Sequence, residues 1–518
     1  MRYAMQIDVI NDKILSIKTD DPDSILSVIE RSKQVAEDEV WVNFGLGETY
    51  ILNNLKIPNV PSPIRTQYKW TGMYKPFEHQ RVTAEFLTLN KKAFCLSEMG
   101  TGKTNSVIWA ADYLMNLGVV RRMLVICPLS IMDAAWRRDL FRTTMHRSVE
   151  IAHGDREKRA RIVKGTSEII IINYDGVEIV EKEIDAGGFD LIVVDEATHL
   201  KNVATKRWKT LNKLIKDDTW LWLLTGTPAA QSPVDAYGLA KIMNPKSVPR
   251  AFNAFRDLVQ IRQSMFVFKN RPEAEEIVHS ILQPAIRYTK EECLDLPELV
   301  YQTRDVPLSA QQEKYYKLLK KEMLMQAGGE EISAANAAVA LNKLLQLSAG
   351  AVYSDTGEII EFDVKHRSKE LLSIIDETPH KVIVFVMFRH TIELVQKVLQ
   401  DEGHTVDIVH GGVSVGKRAE LFNQFQTSKE PRILVIQPQA AAHGVTLHAA
   451  NTIIWWGMTL SLETYMQANA RIHRAGQVNK CNVVHLIGSP VEKRVLNVLE
   501  NKGASQTKLL DLFKEVIQ

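Results

Sequence analysis

Across 518 residues the chain has only four cysteines, Cys95, Cys127, Cys293 and Cys481. They are far apart and mostly lie inside apolar runs. That excludes a disulfide framework and any metal-ligand spacing, and buried thiols in a reducing compartment are expected. No run of about 18 apolar residues occurs, so no helix is expected to span a membrane. An excess of charge is missing too: Lys and Arg total 64 against 62 Asp and Glu, a net +2, so any basic footprint for nucleic acid must be local. Neither low-complexity stretches nor short repeats are present, which argues against a solenoid. Met1-Arg2-Tyr3 opens a mixed polar stretch rather than a signal peptide, so a cytoplasmic and not a secreted protein is expected. The apolar share of 45% and charged share of 24% are those of a globular protein, too long for a single core.

The most informative stretch is Ser97-Glu98-Met99-Gly100-Thr101-Gly102-Lys103-Thr104. An apolar run, Ala93 to Leu96, precedes it, and a helix-period run, Val107, Ile108, Ala111 and Leu114, follows. Strand, glycine loop and helix in that order are the context of a phosphate-binding loop. Gly100 and Gly102 let the backbone turn its N–H groups onto phosphate oxygens, and the helix start adds positive potential at the same place. Lys103 would reach the β- and γ-phosphates of ATP, and the Thr104 hydroxyl would ligate Mg²⁺. Ser97 departs from the glycine of the strict pattern.

Residues 1–70 read as a small α+β domain. Ile7, Val9 and Ile14, Ile17 flank Asn11-Asp12, a hairpin signal. Asp23-Ser24 is a helix start, 40–44 a strand, and Pro58, Pro61 and Pro63 a linker. From 71 to about 245, near-continuous apolar runs at 93–98, 123–128, 169–174, 190–195 and 220–225 predict parallel strands buried on both faces. A second series, within 365–518, is expected at 381–388, 406–410, 432–437, 452–456 and 482–487, with helices at 391–400 and 416–427. Residues 246–364 form a mostly helical insertion and linker, and Val491 to Leu499 a helix packing back across a lobe.

The polar residues of note follow the apolar runs, where an open α/β sheet keeps its ligands. Asp195-Glu196 ends one run. The pair by itself equally fits an acidic helix cap. With the phosphate loop upstream, Asp195 reads as the Mg²⁺ holder and Glu196 as the group that orients the attacking water. Thr225-Gly226-Thr227 ends the next run, where hydroxyls can relay the γ-phosphate state to the second lobe. Arg471 and Arg474, one helical turn apart, can face the same way, and a guanidinium on a γ-phosphate stabilises the charge of phosphoryl transfer. Supplied from the second lobe, they would complete the site when the cleft closes.

Taken in order, Lys75 to Gln80, Glu98 to Thr104, Cys127 to Ser130, Asn173-Tyr174-Asp175, Asp195 to Thr198, Leu224 to Pro228, His410-Gly411-Gly412, Gly444 to Leu447 and Gln467 to Gln477 resemble the superfamily 2 helicases. Lys201-Asn202 and Arg287-Tyr288 through Leu296-Pro297 narrow the resemblance to the Swi/Snf-type DNA translocases, in their compact prokaryotic or phage-like form. The resemblance covers about 71–510 and implies two RecA-like lobes. It implies that Gln80 reads adenine, that Gly444 lies at the nucleotide, and that Arg474 is the arginine finger with Arg471 beside it. It also implies that Pro128, Leu129, Ser130, Asn173, Tyr174, Gly411, Gly412 and Thr446 meet the nucleic-acid backbone. Thr198 stands where the common acidic box has His. The implied protein is an ATP- and Mg²⁺-using motor on double-stranded or branched DNA, nucleoid-associated or virus-encoded. A strand-separating helicase on DNA or RNA, or a nucleic-acid-binding switch with little motor activity, are the alternatives. Protein partners are not specified.

Overall fold

In a computed structural model, residues 6–229, 232–263, 268–293, 296–326, 334–353, 358–441 and 445–500 are described. The chain forms two compact units, Met1–Gly226 with Gly238–Ser247 and Ser280–Thr289, and Thr227–Tyr237 with Val248–His279 and Lys290–Gln518.

The first unit begins with a four-stranded antiparallel sheet in the order Gln6–Ile10, Ile14–Lys18, Glu39–Asn43, Lys33–Ala36. The expected hairpin forms: Ile10 pairs with Ile14, and Asn11 and Asp12 take φ of 51° and 57°, a left-handed conformation their short polar side chains tolerate. Alternation puts Leu15, Ile17, Val40 and Val42 on one face, against Ile25 and Leu52 of two short helices. The proline-marked stretch is not a loose linker. The Ser62 N–H donates to Glu85, its hydroxyl bonds Thr88, and Ile64 and Tyr68 enter the core that holds Val107 and Trp109.

The main sheet of this unit has seven parallel strands, in the order Ala285–Ile286, Lys92–Cys95, Trp220–Leu224, Leu191–Asp195, Met123–Cys127, Ile169–Asn173, Val149–Ala152. Its central strands are the expected apolar runs, and they are buried on both faces. Leu224 lies opposite both Cys95 and Asp195, so the chain leaves three adjacent strands at one edge.

The second unit contains six parallel strands, in the order Leu299–Asp305, Cys481–Ile487, Ala450–Trp455, Lys381–Phe385, Ile433–Ile436, Val406–Val409. The helices Arg389–Asp401 and Val415–Thr427 match expectation. Within the two parallel sheets three strands escaped it: Val149–Ala152, Ala285–Ile286 and Leu299–Asp305. They are edge strands, short or half-exposed, and carry no continuous apolar run. Two of them come from the stretch read as helical, which therefore supplies an edge to each sheet as well as helices such as Phe252–Val259 and Ala310–Gln326.

The helix Pro490–Glu500 sets Val491, Val495, Leu496 and Leu499 into one core with Leu341, Leu344 and Leu345. A buried ion pair fastens it: Arg367 donates to both oxygens of Glu492 at 2.8 and 3.0 Å, and also to the Trp456 carbonyl. Glu492 accepts as well from the N–H groups of Gly488 and Ser489, so neither charge is left uncompensated.

Candidate functional site

At the carboxyl edge of the first sheet the chain turns out of Lys92–Cys95 into the glycine loop. Gly100 and Gly102 have φ of 89° and 82°, which favours glycine. A Cβ at Gly102 would also lie 1.9 Å from Gln80 Nε2, so the Gln80 amide would have to move. Gly102 caps the helix Lys103–Asn116, whose buried face runs through Val107, Ile108, Ala111 and Leu114. The Lys103 ammonium donates to the carbonyls of Ser97 (2.6 Å) and Glu98 (3.0 Å), folded onto the loop it would serve. The Thr101 hydroxyl donates to Glu98, Thr104 and Met99 are half-buried, and Glu98 donates its N–H to Tyr288.

Ser97 has a structural reason to replace glycine: its hydroxyl accepts from the Tyr288 N–H at 3.1 Å. The segment 284–288 runs beside the loop, taking N–H bonds from Phe94, Leu96 and Glu98. Gln80 sits over the loop. Its Oε1 accepts from the Phe77 N–H, and its Nε2 reaches the Thr101 and Gly102 carbonyls at 3.4 and 3.5 Å. The ring of His79 lies 2.7 Å from the Thr101 carbonyl and stacks on the exposed ring of Phe77.

Asp195 ends its strand beside this loop. One carboxylate oxygen accepts from Trp136 Nε1 (2.8 Å), the other from the Glu196 N–H (3.0 Å). Desolvation raises its pKa, against the lowering effects of Trp136 and the Lys103 charge. Glu196 takes φ 53° and ψ 53°, left-handed for a non-glycine residue, at a cost of about 1–2 kcal/mol. The surroundings hold it there: the Tyr174 hydroxyl donates to the carbonyls of Asp195 (2.7 Å) and Glu196 (3.0 Å), and the His199 N–H donates to Glu196. Thr225 is buried and donates its N–H to Cys95. A Cβ at Gly226 would come within 3.5 Å of Met99 N and Ser97 O, so the Thr225-Gly226 turn lies against the loop. Thr227 begins the second unit.

The residues expected at nucleic acid divide. Leu129 is exposed and Ser130 half-exposed, but Pro128 is buried. Asn173 and Tyr174 are buried as well: Asn173 accepts from Arg159 at 2.9 Å, and the Tyr174 ring lies tilted against His199 and under the Arg207 guanidinium. The structure therefore places these two side chains in the scaffold behind the acidic pair rather than at a surface.

In the second unit Arg471 and Arg474 converge, though not from a helix as the spacing suggested. The helix Leu462–Asn469 ends before them, and both lie in the turn that follows. Both guanidinium groups donate to the Val445 carbonyl, at 3.2 and 3.1 Å, and Arg471 Nε donates to Gln467. Arg471 is buried and Arg474 half-buried. Gln477 ties the turn to the sheet by donating to the His448 and Ala450 carbonyls. Gly411 and Gly412 are exposed, the first donating its N–H to Gln437, the second to His410. Thr446 is half-buried. Gly444 lies outside the described residues. Sequence reasoning missed Trp136 and Tyr288, whose contacts with the site join distant parts of the chain.

A glycine loop and an acidic pair at the carboxyl edge of a parallel sheet, with a second parallel sheet carrying paired arginines, define a nucleotide-binding α/β protein of the helicase kind. The SNF2-related domain matches residues 79–350 and the helicase conserved C-terminal domain residues 366–476. The chain belongs to the SNF2-related family. It is similar to the chromodomain-helicase-DNA-binding protein 1-like of Mus musculus, 28% identical over 81% of this chain and 47% of that protein. It is also similar to a protein of Acyrthosiphon pisum secondary endosymbiont phage 1, putative protein p41, 25% identical over 85% of this chain and 99% of that protein. An uncharacterized ATP-dependent helicase of Mycoplasma genitalium is 26% identical over 80% of this chain and 40% of its own length. The chain thus spans less than half the length of the chromodomain-helicase relatives. Among solved structures, the Sulfolobus solfataricus SWI2/SNF2 ATPase core in complex with dsDNA matches with a TM-score of 0.42 and 22% identity, covering 83% of this chain and 92% of that one. Among the described residues no helix is long and apolar enough to cross a membrane, and no group of three or more His, Cys, Asp or Glu could hold a metal. The cysteines form no disulfide, and Cys95, Cys127 and Cys481 are buried.

Proposed function

We propose that this protein is a nucleic-acid-dependent ATPase that translocates on double-stranded DNA and remodels DNA or protein–DNA complexes. The carrying observation is the convergence of Lys103, the Gly100–Gly102 turn and the Asp195–Glu196 pair at one sheet edge. The family membership and the names of relatives, helicases and a DNA-binding protein among them, support it. The phage and Mycoplasma relatives support work inside a cell, on cellular or viral DNA.

In this reading the loop N–H groups and Lys103 bind the β- and γ-phosphates, and Gln80 with Phe77 receives the adenine. Glu196 orients the attacking water and accepts its proton. Arg471 and Arg474 bear on the phosphates as charge develops. Mg²⁺ fits the residues present, because a carboxylate whose pKa is raised by desolvation gains from a divalent cation that prefers oxygen ligands. Asp195 and Thr104 would hold it, and when bound it neutralises phosphate charge. Residues 1–70 form a domain of their own by function, packed on the lobe at 71–245, with 246–364 linking to the second lobe at 365–518. Exposed Leu129, Gly411 and Gly412, together with half-buried Ser130 and Thr446, contact the DNA backbone. Phosphates repeat along the strand and carry no sequence, as a translocase requires.

Turnover of ATP measured with duplex, forked and single-stranded DNA and with RNA tests this. Duplex or forked DNA is expected to stimulate most. Strongest stimulation by RNA overturns the DNA assignment, and a Glu196→Gln protein hydrolysing at the parent rate removes Glu196 from its role.

A further inference from the structure

Two segments that lead toward the expected polymer-facing loops each end one side chain away from the acidic pair. Residues Met132–Arg137 form a π-helical turn directly after Leu129–Ile131, and from it the fully buried Trp136 donates its indole N–H to the Asp195 carboxylate. π-Helical turns are rare and concentrate at functional sites. Tyr174 is the first residue past the strand Ile169–Asn173, next to Asp175, whose carboxylate is exposed and pairs with Arg207 at 2.8 Å. Its hydroxyl reaches the carbonyls of both Asp195 and Glu196.

The backbone gives these contacts their meaning. Among the described residues six non-glycines have positive φ, and five of them lie in turns or loops of the first 70 residues. The sixth is Glu196. A left-handed glutamate persists only when its surroundings determine it. Here the hydroxyl of Tyr174 and the N–H of His199 fix the Glu196 carbonyl, while Trp136 and the Glu196 N–H fix the Asp195 carboxylate. The ring of Tyr174 is fixed in turn by His199, 4.8 Å between centroids, and by the Arg207 guanidinium 5.1 Å from its centre.

We propose that Tyr174 and Trp136 are positioning residues that hold Glu196 in its left-handed conformation and Asp195 in its orientation, and so transmit the placement of the 128–131 and 173–175 segments to the hydrolytic pair. The inference deepens the motor reading and rests on it. A polymer seated on exposed Leu129 or half-exposed Ser130 needs to move nothing large. A shift of the π turn moves the indole N–H, and a shift at 173–175 moves the hydroxyl. Both residues contact the acidic pair and neither belongs to the glycine loop, so both act on the turnover step and not on binding.

The test is steady-state ATP hydrolysis by the full chain carrying Tyr174→Phe or Trp136→Phe, with and without a saturating DNA duplex. Each substitution removes one donor and keeps a ring. Loss of one oriented hydrogen bond is expected to lower kcat about tenfold, with the KM for ATP and the duplex concentration for half-stimulation within about twofold of the parent. A raised half-stimulation concentration with parental kcat at saturating duplex overturns the proposal, because Tyr174 would then be a polymer contact. Unchanged kcat in both variants overturns it as well. If Trp136→Phe fails to fold, Tyr174→Phe decides alone. A parent protein that hydrolyses ATP but ignores every nucleic acid defeats the motor reading, while the kcat of Tyr174→Phe still decides the positioning role. A parent that hydrolyses nothing ends both.

Discussion

The two parallel sheets use the same frame for opposite electrostatics. At the carboxyl edge of the first, the chain sets carboxylates, and one of them, Asp195, has its pKa raised by desolvation. Near the edge of the second it sets arginines, and both donate to one carbonyl, that of Val445. Buried titrating groups contrast in the same way. His485, fully buried against the Tyr465 hydroxyl in the second sheet, has its pKa lowered to about 4 by desolvation. The frame is generic, and a few polar residues placed just past the strand ends decide what each sheet can bind.

The sharpest way to break this comparison is to remove the cation of the first edge. Lys103→Ala should reduce ATP hydrolysis to background, since the loop then lacks its only formal positive charge toward the phosphates; turnover near the parent rate would place the nucleotide elsewhere. On the second edge, Arg474→Ala should cost about 10³-fold in kcat if it acts as a finger. Unchanged turnover would leave that edge without a catalytic part. A purely structural contrast comes next. Arg367→Ala strands Glu492 in the core of the second sheet and should destabilise by about 3–5 kcal/mol in denaturant unfolding. An equal loss from an exposed pair such as Lys417–Glu420 would show that burial is not what matters.

The pH responses should differ in sign. The unfolded His485 takes up a proton near its ordinary pKa and the folded one only near 4, so stability present at neutral pH is lost as pH falls between those values. The full effect is about 3 kcal/mol, read as a fall in Tm that His485→Gln abolishes. Asp195 has the reverse sign. Its raised folded pKa means that stability is lost as pH rises through that value, so Asp195→Asn should stabilise at neutral pH, an effect that fades toward acid, and should lose hydrolysis. The smallest effect is expected of Ser97→Gly, which removes the acceptor for the Tyr288 N–H and should change kcat by about twofold or less. A large loss would make that bond part of the site.

Much of the fold was legible because the central strands are buried on both faces, and such strands write themselves as runs like Met123–Cys127 or Ile169–Asn173. The loop at 97–104 was legible because its chemistry is local, strand, glycines and helix being consecutive. Edge strands were not, since Leu299–Asp305 is half solvated and keeps no apolar pattern. The helix expected around Arg471 and Arg474 was drawn from spacing, but the chain leaves the helix at Asn469 and the shared Val445 carbonyl gathers the arginines instead.

By itself the sequence determined which residues can carry charge, turn or bury, and therefore the two sheets and the glycine loop. Tertiary structure alone decided that Tyr174 faces inward onto the acidic turn, that Trp136 reaches Asp195 across 59 positions, and that Ser97 is answered by Tyr288 across 191. The physical reason is that a hydrogen bond between distant segments needs both partners brought within about 3 Å, and nothing in either local sequence records the other.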